Sequence, residues 1–321
     1  MKDSERAALA ELLEGAGNLP YAHFGAPRDR AVACALARIA GALAAGGALW
    51  RRDRGGRCLG LLAAQPEPWD TEHFGFGCAR VGWIFLAGEG PARFRTLSGL
   101  CRQLRAWCAR EQMRLVVGKV DCADVAAVQA LEESGFRVVT SELVWTRVGS
   151  APPPGRRGGA VCVERVAGRD FPGIEAIGGV FYSDRFHADF RLPRAACDAL
   201  WGRTLVNACR GFADQVIVAH RSGTPLGAIV CKLDQEAAGV LGRPVCVFFL
   251  VGVAAQAQGQ GLGSALMAEA LAWAAGHTDL VEVGTQAHNL AAIRLYQKSG
   301  FALAQAQFSL HRHFADGSWR P

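Results

Sequence analysis

Between an apolar run, Val245–Ala254 (VCVFFLVGVA), and an alanine-rich segment ending near Gly276 lies QAQGQGLGSAL (Gln256–Leu266), with glycines at 259, 261 and 263. A helix starting near Gly261 leaves its first backbone N–H groups without intrahelical partners, and these groups and the helix dipole favour an anion. Alternate glycines remove side chains that would hold a phosphate away from the backbone. Further on stands Tyr296, one of only three tyrosines in the chain. A phenol of pKa ~10 keeps a proton to donate at neutral pH. The loop is not a dinucleotide fingerprint, because its spacing is G-x-G-x-G and it sits late in its domain; with no Gly-Lys-Ser/Thr it is not a Walker loop either. By itself it is equally a tight turn, and Tyr296 by itself is equally an aromatic packing on a helix face.

The elements that must position these groups occur twice. Leu115–Phe136 (LVVGKVDCADVAAVQALEESGF) and Leu280–Phe301 (LVEVGTQAHNLAAIRLYQKSGF) align without gaps at an offset of 165, sharing Leu-Val, an Ala-Ala pair and Ser-Gly-Phe. Each predicts a strand, a loop, a helix of about three turns ended by glycine, and another strand. Shared order makes duplication the better account. The same offset sets Arg93–Ser98 (RFRTLS) against Gln258–Gly263 and Leu131 against Tyr296, so the first copy lacks both the glycines and the hydroxyl. It is expected to support the second copy or to shape a substrate wall.

Length and composition set the frame. A chain of 321 residues, half hydrophobic and one fifth charged, accommodates two ordinary globular domains. The linker is expected at GSAPPPGRRGGA, giving an N-terminal domain over 1–150, a Pro/Gly-rich linker over 151–160 and a C-terminal domain over 161–321. The net charge of +6 is spread among scattered arginines with no dense basic block, which disfavours a nucleic-acid arm but suits a phosphorylated ligand. Eleven widely spaced cysteines without a C-x-x-C pair argue against zinc and against a disulfide framework, and read as small buried hydrophobes. The N-terminal MKDSERAALAELLEG reads as a charged amphipathic helix rather than a signal peptide, and no apolar run reaches the ~18 residues of a membrane span. A cytoplasmic location is expected.

Gln258-x-x-Gly261-x-Gly263 between strand and helix, followed by Asn289 and Tyr296, resembles the acyl-CoA pyrophosphate loop and following helix of the GCN5-related N-acetyltransferases, the GNAT superfamily. Together with PWDTEHFGFGCARV (Pro68–Val81) and SDRFHADFRLP (Ser183–Pro193), the resemblance narrows to the bacterial TDP-fucosamine acetyltransferases, over about Trp69 to His313. The first 65 or so residues have no counterpart in that resemblance. It implies an α/β (α+β) protein of two GNAT-like domains, each a mixed central sheet flanked by helices, the N-terminal copy degenerate. It implies acetyl-CoA as acyl donor, no metal, and an acceptor that is the amino group of a nucleotide-linked amino deoxysugar; a homodimer is expected from the resemblance alone.

The resemblance also assigns roles. Leu250, Val251 and Val253 lie on the strand that would splay from its neighbour, its free backbone groups holding the pantetheine arm and polarising the thioester carbonyl. Gln258, Gly259, Gln260, Gly261, Leu262, Gly263 and Ser264 would take the pyrophosphate, Asn289 would hydrogen-bond the cofactor arm, and Tyr296 would protonate the departing sulfur. His187, Asp184 and Glu282 are candidates for the base, against simpler roles as loop pins or an ion-pair partner. Arg185, His187 and Arg191 suit a nucleotide diphosphate. Trp69, Phe74 and Phe76 suit stacking, and equally the core of the first domain. The alternatives are another amine acceptor (a peptide N-terminus, an antibiotic, a polyamine) or a non-catalytic acyl-CoA sensor.

Overall fold

The computed structural model describes residues 3–149, 161–181 and 184–314. The expected linker at 151–160 lies outside them. The chain divides into two compact units, Met1–Ser141 with Ala306–Pro321, and Glu142–Gln305.

The first unit is built from α1 (Asp3–Glu14), α2 (Arg28–Ala44), β1 (Ala48–Arg54), β2 (Arg57–Pro66), α3 (Pro68–Phe74), β3 (Gly77–Leu86), α4 (Gly90–Arg110), β4 (Met113–Asp121), α5 (Val125–Glu133) and the start of β5 (Arg137–Val148). Strands β1, β2 and β3 pair antiparallel, and β3 and β4 pair parallel. Alternation along β2 sends Leu61 and Ala63 to one face and Leu62 and Ala64 to the other. The first pair meets Leu9, Leu13, Leu36 and Ile39 of α1 and α2, and the second meets Leu97, Leu104 and Leu131 of α4 and α5. The first 65 residues, which the family resemblance left unassigned, therefore supply a complete helical layer and the first two strands of this sheet.

The second unit repeats the plan with β6 (Cys162–Val166), a helical turn at Ile174–Val180, α6 (Arg194–Asn207), β7 (Gln215–Arg221), β8 (Thr224–Asp234), α7 (Glu236–Leu241), β9 (Val245–Val253), α8 (Leu262–Ala274), β10 (Leu280–Gln286), α9 (Leu290–Lys298) and the start of β11 (Ala302–His313). Strands β6 to β9 pair antiparallel in sequence, and β9 and β10 pair parallel. One face carries α8 and α9 over Ile229, Phe248 and Val283. The other carries Ile174, Ile177 and Leu205 over Val218, Val230 and Leu250. Each unit is thus a mixed sheet between two helical layers, as expected of the fold class.

The last strand of each sheet does not come from its own repeat. Gln307–His313 of β11 pairs antiparallel with β4 and so completes the first unit. Glu142–Val148 of β5 pairs antiparallel with β10 and completes the second. The units are therefore divided at 141/142 and 305/306. The two strands are each other's counterparts at the offset of 165, Arg137–Val148 against Ala302–His313.

Candidate functional site

The strand before the glycine loop is irregular where chemistry needs it to be. β10 pairs with β9 only through Val281, Glu282 and Val283, opposite Cys246, Val247 and Phe248. From Phe249 onward β9 is paired on its β8 side alone. On that side the register skips between Cys231↔Phe248 and Val230↔Leu250, so Phe249 is the extra residue of a β-bulge. Leu250, Val251 and Val253 therefore sit on a strand with one backbone edge released from the ladder, as a pantetheine-binding strand requires.

The loop that follows is held by its own glutamines. Gln258 Nε2 donates to Val253 O at 3.0 Å and Gln260 Nε2 to Gln256 O at 3.0 Å, so both side chains shape the turn. Gly259 and Gly261 have φ of +75° and +81°, and a Cβ on either would meet nothing within 4 Å. Both conditions matter, since the left-handed backbone calls for glycine and the open space lets a ligand reach it. Gly263 is different: its backbone is not left-handed, and its Cβ would lie 3.4 Å from Leu295 Cδ2 of α9, at ordinary contact distance. Gly261 is the N-cap of α8, and the first intrahelical bond there runs from Ala265 N to Gly261 O. The N–H groups of Leu262, Gly263 and Ser264 have no partner in the preceding turn. Leu262 turns its side chain into the core, and Ser264 is exposed.

Asn289 caps α9, its Oδ1 accepting from Ala292 N at 3.2 Å. The Tyr296 ring is 2% exposed and packs against Trp145 and Phe301. Its hydroxyl lies 3.5 Å from the carbonyl of Gly284, the residue just beyond the last β9–β10 pair. That bond is at the outer limit of length, so the hydroxyl at the parting of the strands is weakly committed. Burial raises the phenol's pKa and keeps it protonated.

The first unit shows the same positions closed. Asp124, counterpart of Asn289, caps α5 through Ala127 N at 3.2 Å. Arg93, counterpart of Gln258, forms an ion pair with the Asp124 carboxylate and donates to Leu86 O at 2.5 Å. A salt bridge thus ties down the residues that answer to the loop and the helix cap of the second unit.

The acceptor-side residues prove unequal. Asp184 is a buried hub: it accepts from Phe186 N at 2.7 Å and Trp201 Nε1 at 2.6 Å, and pairs with His187 Nδ1. His187 Nε2 faces Asp198 Oδ1 at 3.2 Å. Both ring nitrogens of His187 are thus engaged, and its side chain is buried. Glu282 sits mid-strand between Val247 and Thr146, before the strands part. Arg191 is 3.9 Å from Asp189. Arg185 stacks over Phe186 at 4.4 Å, and its buried Nε has no hydrogen-bond partner among the described residues. Trp69 and Phe74 lie on α3 of the other unit. Phe74 is buried against Phe76 and is a core residue, whereas Trp69 is 38% exposed and stacks on His73.

A ring cluster that the motifs did not flag adjoins the bulge. Phe249, 45% exposed, lies 6.5 Å from Trp201 and 6.4 Å from Phe212, and Trp201 lies 5.9 Å from Phe181. The available signal was the Phe248-Phe249 pair, which breaks the alternation of a strand and marks the extra residue.

Residues 182–301 match the acetyltransferase (GNAT) family model. No curated protein matches the chain. Among solved structures, a GCN5-related N-acetyltransferase from Sphaerobacter thermophilus is 17% identical with a TM-score of 0.57, covering 97% of this chain and 94% of its own. A tandem GNAT protein from the clavulanic acid biosynthesis pathway is 13% identical with a TM-score of 0.52, covering 97% and 96%. A GCN5-related glucosamine N-acetyltransferase region of a fungal multi-domain β-N-acetylglucosaminidase is 14% identical with a TM-score of 0.61, covering 97% and 37%. These likenesses show the fold alone; it is the family match over residues 182–301 that points to acetyl transfer.

Proposed function

We propose that the second unit transfers the acetyl group of acetyl-CoA directly to the amino group of a nucleotide-linked amino deoxysugar. The observation that carries the reading is the parting of β9 from β10 after Phe248, next to a loop whose glycines face open space. Released backbone at Leu250–Val253 would hold the pantetheine and polarise the thioester, and the N–H groups opening α8 would hold the pyrophosphate. The neutral amine attacks the carbonyl carbon, the C–S bond breaks, Tyr296 gives its proton to the leaving thiolate, and the proton shed by the acylated nitrogen passes through water to restore the phenol. The buried Nε of Arg185, without a hydrogen-bond partner among the described residues, supports an anionic acceptor, and the rings of Trp201, Phe212 and Phe249 offer apolar faces to a sugar.

The test is calorimetric titration with acetyl-CoA followed by a thiol-release assay with TDP-linked amino sugars. Saturable binding and release with such a sugar are expected. Release only with an unrelated amine would overturn the acceptor, and absence of acetyl-CoA binding would overturn the reading itself.

A further inference from the structure

The first unit contains a cavity of about 400 Å³ between α4, the end of α5 and β11, whose polar lining includes Ser98, Arg102, Arg105, Glu133, Ser134 and Arg312. Three guanidinium groups thus face one carboxylate. The serine hydroxyls are spent within their helices, on Phe94 O at 2.9 Å and Ala130 O at 2.7 Å, so the donors left for a ligand are the arginines.

Arg312 is half-buried. Its guanidinium lies 4.3 Å from the ring centre of Phe314 and 6.0 Å from that of Phe136. It has no ion-pair or hydrogen-bond partner among the described residues. Burial lowers its pKa, and the like charge of Arg105 acts in the same direction. A fourth cation approaches nearby, since a Cβ on Gly99 would lie 3.7 Å from both Arg102 Nη2 and Arg52 Nη1. Crowding like charges at a partly desolvated place is unfavourable without an anion.

The duplication separates packing from binding. Arg312 rests on Gly135, the glycine ending α5, and its counterpart Arg147 rests in the same way on Gly300 after α9; that contact belongs to the repeated fold. The helix that answers to α4 in the second unit, α8, contains no arginine or lysine. The concentration of positive charge is therefore peculiar to the first unit, where packing does not call for it.

We propose that this cavity is a phosphate-binding site in the first unit, taking the dianionic phosphate of a small phosphorylated molecule. Guanidinium forks match phosphate oxygens in geometry, several of them together match a dianion better than a monocarboxylate, and the volume is that of a small-molecule site. The site is independent of the acyl-CoA loop of the second unit.

The experiment titrates the full chain with inorganic phosphate by calorimetry at ionic strength held constant with sodium chloride. Since the acyl-CoA loop is itself an anion site, the comparison is made between G261D and G261D/R102Q/R105Q. Arg102 and Arg105 are exposed on α4, so unchanged thermal unfolding in chloride serves as the folding control. Saturable binding by G261D, weakened fivefold or more by the two glutamines, is expected, with glucose 6-phosphate competing for the site. A smaller change, or no saturable binding by G261D, overturns the proposal. Displacement of phosphate by phosphatidic acid vesicles but not by glucose 6-phosphate overturns the small-molecule assignment.

Discussion

Tyr296 is held by its ring and left nearly free at its hydroxyl. The ring belongs to the same core as Phe248 and Phe301, so removing the oxygen alone leaves packing intact. Tyr296→Phe is expected to lower kcat about tenfold or more while leaving acetyl-CoA affinity within twofold, as measured by steady-state thiol release and calorimetry. An unchanged kcat would return Tyr296 to a packing role. Burial holds the phenol's pKa above its ordinary value, so the unfolded chain ionises first as pH rises past ~10 and stability falls from there. Tyr296→Phe should therefore lose less unfolding temperature above pH 10 than the parent, the buried thiols contributing equally to both. The motif located Tyr296 and Asn289. It could not distinguish Phe74, which the core takes, from Trp69, because side-chain direction on a short helix depends on what packs beside it.

The three glycines of the loop, alike in sequence, divide by role once α8 is in place. Gly259 and Gly261 have left-handed backbone and open surroundings, and Gly263 has a leucine methyl 3.4 Å from where its Cβ would be. Gly261→Asp puts bulk and negative charge at the pyrophosphate position and is expected to weaken acetyl-CoA binding at least tenfold by calorimetry. Gly263→Ala, in contrast, brings a methyl only to ordinary contact distance of Leu295 on right-handed helical backbone, so thermal unfolding should be unchanged or shifted upward and acetyl-CoA affinity should change far less than in Gly261→Asp by calorimetry. The elements themselves were legible: the strand–loop–helix–glycine–strand order predicted for Leu280–Phe301 is what β10, α9 and β11 form. The bulge at Phe249 was not, because a bulge is defined by the partner strand's register and β9 alone records only two adjacent phenylalanines.

Over the molecule as a whole, the eleven cysteines are free thiols and nine of them are buried. Burial pushes Cys78 and Cys108 up to about 12, and Cys197 and Cys209 up to about 11. Thiolate is the reactive form, so native protein titrated with a chromogenic disulfide should show fast reaction of Cys162, slower reaction of the partly buried Cys122, and the rest only in denaturant. Fast reaction of many thiols would contradict the packing of both cores. Among the described residues no helix is long and apolar enough to cross a membrane.

The sequence by itself determined the duplication, the element order within each copy, the glycine loop with its Asn and Tyr, and the copy that lacks them, because these follow from local periodicity and residue type. Only the tertiary structure decided which strand closes which sheet. Arg137–Val148 and Ala302–His313 are equivalent strands of one repeat, yet each pairs into the sheet of the other copy. A pairing between strands far apart in the chain is set by the summed packing of the folded units, and no local stretch of residues encodes that sum.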